Sequence, residues 1–496
     1  MQGRRRIPGR LAGPLLAVLM FGGGFVRAEP DAITLVGAMP SDREARPVCT
    51  ICQDTVGASE APSLLTVALS KTETLPVTLA DVLQRVNEDN LLIREQDADR
   101  RAARVGVYRT LSNLLPDGQG SYAHSHFQGG VQIFGDQVLT IKQRRIVPQM
   151  SVRKTYSLGQ LVDIATSRYE SVAAKHRLES TRQEALAGAA KAYYRWQESQ
   201  NQVENLNDSV TQAQAQVDFN QARQAAGVGI KLDVMQAQAF LSEQQQRLLE
   251  AEGERVNAEQ ELLNRMNLPP GVSLQAEEAN VGDAVTPAGL VPEGLVSDTL
   301  IAQAMANRPE IRQAESALKA KQAAFWSRLT DIVPSVNLEG YINYTGPDSQ
   351  QLVYSRFYGL RVEANLLENA GLAIPLDLRR QSLEIQADRA ALENLKRGVE
   401  QSVIQAQVAM VTRQQALGFA ETRLEAAEEA LRLADGRYKA GLSSFLDVLK
   451  AQADLSEARI NRTHTQVAYR QAGVDLVAAL GAVSEATLLN GLTLNP

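Results

Sequence analysis

One stretch of this chain is written twice. Arg223–Glu243 (RQAAGVGIKLDVMQAQAFLSE) aligns without a gap on Arg437–Glu457 (RYKAGLSSFLDVLKAQADLSE), with twelve of 21 positions identical and Asp233 standing 214 residues before Asp447. A second pair of anchors, Leu114-Leu115-Pro116 and Ile332-Val333-Pro334, repeats at an offset of 218. A fixed long period marks a duplicated structural unit. The repeat predicts two such units, 77–266 and 297–482. Between them, 267–296 carries Pro269, Pro270, Pro287 and Pro292 and reads as a non-helical linker. A C-terminal tail, 483–496, follows the second unit.

Each unit has the same order. A helix (about 78–113; 297–331) ends at a proline, which cannot continue it. A polar stretch bearing glycine and aromatic residues follows, then a very long helix (about 159–225; 373–439). Gly227 or Gly441 ends the long helix as a C-terminal cap, and a shorter helix (about 232–266; 445–481) closes the unit. At ~1.5 Å per residue the long helices reach ~100 Å, about the length of the two shorter ones laid end to end. The expected arrangement is one long helix beside two stacked short ones.

The long helices carry a heptad. Val403, Met410, Leu417, Leu424, Leu431 and Tyr438 recur every seven residues beside Val399, Ala406, Ala420, Ala427 and Ala434, with Arg413 breaking the companion stripe. Trp196, Val203, Val210 and Val217 beside Ala192, Leu206 and Ala213 echo this in the first unit. A strict seven-residue period keeps a seam facing its partner through left-handed supercoiling. Aromatics at 5% against hydrophobics at 44% fit Ala-rich seams rather than one large core. The remaining surface reads as Gln, Glu, Arg and Asn, with no second apolar face expected.

Between the helices the period changes from helical to two. Leu360, Val362, Ala364 and Leu366 alternate with Arg361, Glu363 and Asn365. Val336-Asn337-Leu338-Glu339, continuing through Tyr341, Ile342 and Tyr344, begins a second run. Met150, Val152, Tyr156 and Leu158 alternate with Ser151, Arg153, Thr155 and Ser157 in the first unit, where Lys154 interrupts the apolar face. Strands of this kind suit a barrel with lipid outside and water inside; alternation alone fits a half-buried soluble sheet equally. Two strands per unit give four per chain, whereas the smallest membrane barrels have about eight and open edges cannot lie in lipid. A membrane-inserted sheet of this chain must therefore be shared, as 8 strands from a dimer or 12 from a trimer. Arg153, Arg361 and Glu363 would then line the water-filled lumen.

The N-terminus sets a compartment. Arg4, Arg5, Arg6 and Arg10 precede the apolar run Leu11–Val26, and Val26-Arg27-Ala28 offers a cleavage site. Residues 1–28 read as a secretory signal peptide, and the run, interrupted at Gly22–Gly24, is short of the ~20 residues a membrane helix needs. Residues 29–76 read as a flexible arm. Cys49 and Cys52 lie in it as a lone Cys-x-x-Cys, which lacks the second pair or neighbouring βαβ pattern of a metal or redox site. His124 and His126 make a His-x-His on the first strand of the first unit, read as barrel wall rather than metal ligands. No Walker-type phosphate loop, zinc-protease histidine pair or dinucleotide fingerprint is present, so no catalytic residue, cofactor or metal is expected. A net charge of −6 argues against nucleic acid as a partner.

The exported chain, the tandem unit and the motif Gly-x-x-x-x-Leu-Asp-Val-x-x-Ala-Gln-Ala-x-Leu at Gly227–Leu241 and Gly441–Leu455 resemble the TolC family of outer-membrane factors. The resemblance implies a mainly α fold with a small β part: a long coiled-coil α-helical barrel plus four membrane β-strands per chain, closing as a 12-stranded barrel in a homotrimer. It also implies a place in the outer membrane of a Gram-negative bacterium with the helices in the periplasm. The implied partners are outer-membrane lipid, a periplasmic adaptor and an inner-membrane transporter, in a tripartite efflux pump or type I secretion system. By motif position Asp233, Asp447 and Tyr438 match residues around the family's periplasmic gate. Lys450 and Ser443 depart from it, standing where some members carry an aspartate and an arginine. Three copies of Asp447 around one axis would focus negative potential at the aperture, while an aspartate there also suits the first turn of a helix. The competing expectation is a soluble periplasmic coiled-coil adaptor or scaffold, which explains the signal and the heptads but not strands at the same point of both units.

Overall fold

The computed structural model describes residues 73–132, 138–276, 297–347, 350–364 and 372–490. The signal segment, Cys49 and Cys52, most of the arm and the linker, and Asn365 and Leu366 lie outside the described residues.

The long helices form as the heptads predict, α3 over Leu158–Ala225 and α7 over Ala373–Lys439. Each has an antiparallel partner of 35 residues, α4 (Lys231–Arg265) and α8 (Phe445–Ala479). The breaks are true Schellman caps. Gly227 sits at φ 75° and Gly441 at φ 74°. The amide of Gly441 donates to Tyr438 O (2.9 Å) and that of Leu442 to Arg437 O (2.8 Å), and Gly227 and Val228 repeat both bonds onto Gln224 O and Arg223 O.

The first helix of each unit is not continuous, which corrects the expected spans 78–113 and 297–331. In the first unit α1 (Leu79–Asp89) and α2 (Leu91–Ser112) meet at Asn90. Asn90 takes extended backbone, accepts from Leu92 N (2.9 Å) and donates to Arg265 O (3.0 Å). In the second unit α5 (Ser297–Asn307) and α6 (Pro309–Thr330) meet at Arg308. Pro309 drives the residue before it out of the helical region, and the Arg308 guanidinium then caps Ala479 O (2.8 Å). Gly481, at φ 66°, lets the chain pass this point, where a Cβ would lie 2.9 Å from Arg308 Cα. α2 packs on α3, α6 on both α3 and α7, α3 on α4, and α7 on α8, the expected long-beside-short arrangement.

A small element was not foreseen. β1 (Glu73–Val77), from the end of the arm, pairs in parallel with β4 (Val272–Ala276), from the linker. The fully buried carboxylate of Glu259 accepts from Leu274 N at 2.8 Å and holds β4 on α4. A short helix, α9 (Glu485–Asn490), structures part of the tail and buries Leu488 in the same core as Trp196, Tyr193 and Tyr194. Burial pushes the Tyr194 hydroxyl up to about 12. A tyrosine raised in the folded state lends stability below its unfolded value of ~10 and loses it as pH rises through the folded value. Between pH 10 and 12 thermal melting by circular dichroism should therefore show Tyr194→Phe gaining on the wild type, by ~1–2 kcal/mol at the top of that window.

The main sheet has four strands in the order β2-β3-β5-β6. β2 (Asp117–Gln132) and β3 (Val138–Tyr156) are one antiparallel hairpin, β5 (Ser335–Thr345) and β6 (Val353–Glu363) another. β3 pairs with β5, so the two units meet in the sheet. β6 lies earlier than the alternation from Leu360 to Leu366 predicts.

The seam of α7 is buried at Val399, Val403, Met410 and Tyr438, but Leu417, Leu424 and Leu431 are only half-buried. The expectation of no second apolar face is overturned. Leu376, Leu383, Ile404 and Val408 are exposed on α7, as are Leu158, Leu161, Tyr169 and Val172 on α3. Near-heptad spacing that the described residues leave uncovered is the pattern of a helix face that packs against a further helix.

Candidate functional site

At the helix breaks, Tyr438 joins the two units. It lies at the end of α7, buried in a cluster with Ala213, Val217, Ala237, Phe240, Phe445 and Val448. Its hydroxyl donates to Asn220 Oδ1 on α3 at 2.7 Å and reaches Asp233 Oδ2 on α4 at 3.2 Å. The Arg223 guanidinium stands 4.8 Å over the Tyr438 ring, within cation–π range. Burial, then the neighbouring Asp233 charge, pushes the Tyr438 hydroxyl pKa up, while Arg223 opposes this. The hydroxyl thus stays a donor well above neutral pH.

The repeat has diverged here. Asp233 and Asp447 are equivalent by sequence, but Ser444, the cap residue of α8, corresponds to Ile230 at α4. Asp447 Oδ2 accepts from Ser444 N (3.1 Å) and Ser444 Oγ (3.0 Å) in a capping box. Ile230 offers no hydroxyl, so the Asp233 carboxylate is available to Tyr438. The structure brings Tyr438 and Asp233 together and leaves Asp447 on its own cap. Asn220 and Arg223 were missed by sequence reasoning. Asn220 could have been found: it continues Ala192, Leu206 and Ala213 at seven-residue spacing, and a polar residue in a seam asks for a partner.

At the other end, register sorts the sheet into two faces, since antiparallel partners share a side. Arg153 lies opposite Glu339, Thr155 opposite Asn337, Asn337 opposite Arg361 and Ser335 opposite Glu363. All of these share one face. Arg153 Nη2 meets Glu339 Oε1 at 3.1 Å, Arg361 Nη1 meets Glu363 Oε1 at 3.3 Å, and Asn337 Nδ2 donates to Glu363 Oε2 at 2.9 Å. The three lumen candidates therefore share one polar face, Arg153 paired with Glu339 and Arg361 with Glu363. The opposite face carries Met150, Val152, Val336, Leu338, Ile342, Leu360 and Val362 with Tyr122, Tyr156, Tyr344, Tyr354 and Tyr358. Leu360 is 66% exposed and Tyr358 82%, so the described residues leave most of this face uncovered. Lys154 and Arg356 interrupt it; Lys154 is buried, its ammonium 5.5 Å over the Tyr156 ring, and Arg356 has a stem long enough to carry its charge toward an interface. His124 lies opposite Ile146 and His126 opposite Arg144 on this same apolar side. No group of three metal-type ligands occurs among the described residues.

An uncovered apolar sheet face backed by a charged one, joined to ~100 Å helices, has relatives. The sequence profile of the outer membrane efflux protein family matches residues 82–267 and 300–482. The chain belongs to this family. Among curated relatives, the probable efflux pump outer membrane protein TtgC of Pseudomonas putida is 25% identical over 405 residues, covering 80% of this chain and 81% of that one. The solvent efflux pump outer membrane protein SrpC of Pseudomonas putida is 26% identical, covering 82% and 84%. Among solved structures, the Campylobacter jejuni CmeC outer membrane channel superposes with a TM-score of 0.71 at 17% identity, covering 82% of this chain and 85% of that one. The open state of the Neisseria gonorrhoeae MtrE outer membrane channel gives 0.68 at 20%, covering 84% and 91%. Members of this family are outer-membrane efflux channels rather than known enzymes, and this chain is an outer-membrane protein with its helices on the periplasmic side. No described helix is long and apolar enough to cross a membrane.

Proposed function

We propose that three copies of this chain close one 12-stranded barrel over one helical tunnel, and that the assembly is a passive exit duct. It receives substrates from an inner-membrane transporter through a periplasmic adaptor and releases them outside the cell. The observation that carries this is the sheet: β2 and β6 are edges within the chain, and unpaired edges are excluded from lipid. Closure with neighbouring copies satisfies both edges, buries the exposed heptad stripes and places Arg153, Arg361 and Glu363 in water. A soluble periplasmic adaptor or scaffold would leave the apolar sheet face in water. Relatives named for efflux pumps favour a pump over type I secretion. In this reading Tyr438, Asp233 and Asn220 pin the inner helix pair (α7, α8) to the outer one (α3, α4) and hold the periplasmic end narrow. Asp447 keeps the start of α8 in place.

Planar bilayers test the duct. Purified protein, with no partner and no nucleotide, should give stepwise ohmic currents. A protein that adds no conductance at any voltage is not a duct.

A further inference from the structure

The β2–β3 hairpin continues past the end of the β5–β6 hairpin, and its far part changes character. On the lipid-facing side, the rows from Tyr156 to Ile146 hold the apolar band, interrupted by Lys154 and Arg356 and bounded by Tyr156 at one end and by Tyr122, Tyr344 and Tyr354 near the other. Ten residues at ~3.3 Å each, tilted ~45°, span ~23 Å of height. That matches the ~25 Å apolar band of an outer-membrane barrel, with tyrosines at both interfaces. The next residues on the same face are Arg144, opposite His126, and Lys142, opposite Gln128. They lie ~5–9 Å beyond the band, at headgroup depth.

Arg144 and Lys142 are exposed neighbours on one face, ~7 Å apart along the strand. The only carboxylate among the described residues of β2 and β3 is Asp117, at the opposite end of the hairpin and on the lumen face. Two cations side by side at the height of lipid headgroups, with no acid beside them among the described residues of the hairpin, suit an anion from outside the chain. A phosphate fits: it accepts from a guanidinium fork and an ammonium together. We propose that Lys142 and Arg144, with His126 beside them, form a docking site for a phosphate-bearing lipid of the outer leaflet. Three such sites would ring the barrel and fix its height in the membrane. Arg145, one residue along, faces the lumen with Ser125 and takes no part.

This inference rests on the sheet being the wall of a trimeric barrel, and its test separates the two. The full-length protein and two variants, Lys142→Gln with Arg144→Gln, and Arg145→Gln, are placed in phosphatidylcholine nanodiscs, and oligomeric state is read first by native mass spectrometry. Diphosphoryl lipid A is then titrated in and its retention per trimer measured. We expect the double variant to remain trimeric and to bind this lipid about tenfold more weakly, with Arg145→Gln within twofold of wild type. Trimers whose lipid A binding is unaffected by the double substitution, or lost equally in Arg145→Gln, overturn this site alone. Absence of trimers in the wild type overturns the barrel and the site together.

Discussion

Replacing Tyr438 by Phe and Asp233 by Ala together should raise single-channel conductance severalfold in planar bilayers. The double change removes the hydroxyl bond to Asn220 (2.7 Å) and the contact with Asp233 (3.2 Å). A neutral hydrogen bond contributes ~0.5–1.5 kcal/mol and one to a charged group ~1.5–3. Each chain would then lose ~2–4 kcal/mol of closing bias, and three chains lose it at once. About 5.5 kcal/mol is enough to turn a two-state equilibrium from 1:99 to 99:1, so the narrow state should cease to dominate. Asp447→Ala is the informative contrast. Its carboxylate is engaged by Ser444, so the substitution should cost ~1 kcal/mol of helix stability and leave conductance near wild type. Equal gains from Asp447→Ala and from the Tyr438 and Asp233 pair would remove the distinction between the two aspartates.

The second large effect lies in the sheet. Val152 is exposed on the apolar face, four residues from Tyr156 and so near the middle of the band. Arg on the lipid side of a barrel costs ~2–4 kcal/mol near the bilayer midplane, and a trimer carries the change three times. Val152→Arg should abolish most outer-membrane assembly, read as loss of the heat-labile trimer on gels. Arg153→Leu, one residue along and on the polar face, should leave assembly intact and alter ion selectivity instead. Equal tolerance of both changes would mean that the two faces see the same solvent.

Much of this architecture is legible in residue order because long heptads and long alternations are repeated signals. The ends of α3 and α7 fall within a residue of where Gly227, Gly441 and the seam place them. The breaks at Asn90 and Arg308 were masked by a helical pattern that continues on either side, although Pro309 announces the second. The pairing of β1 with β4 joins segments about 200 residues apart, and five-residue strands carry too little period to be read. At the helix breaks, the motif points to Tyr438, Asp233 and Asp447 alike and does not separate the two aspartates. That difference lies in the cap residue three positions earlier, Ile230 against Ser444. The register that puts His124 and His126 on the apolar face was equally out of reach, because a slip of one residue reverses every side chain.

The central claim is that three copies of this chain build one membrane barrel. Native mass spectrometry of the protein extracted by detergent from outer membranes tests it most directly. The account predicts a complex of three chains that falls to single chains on heating. Recovery of the protein without detergent, as a monomer in the periplasmic fraction, would contradict it.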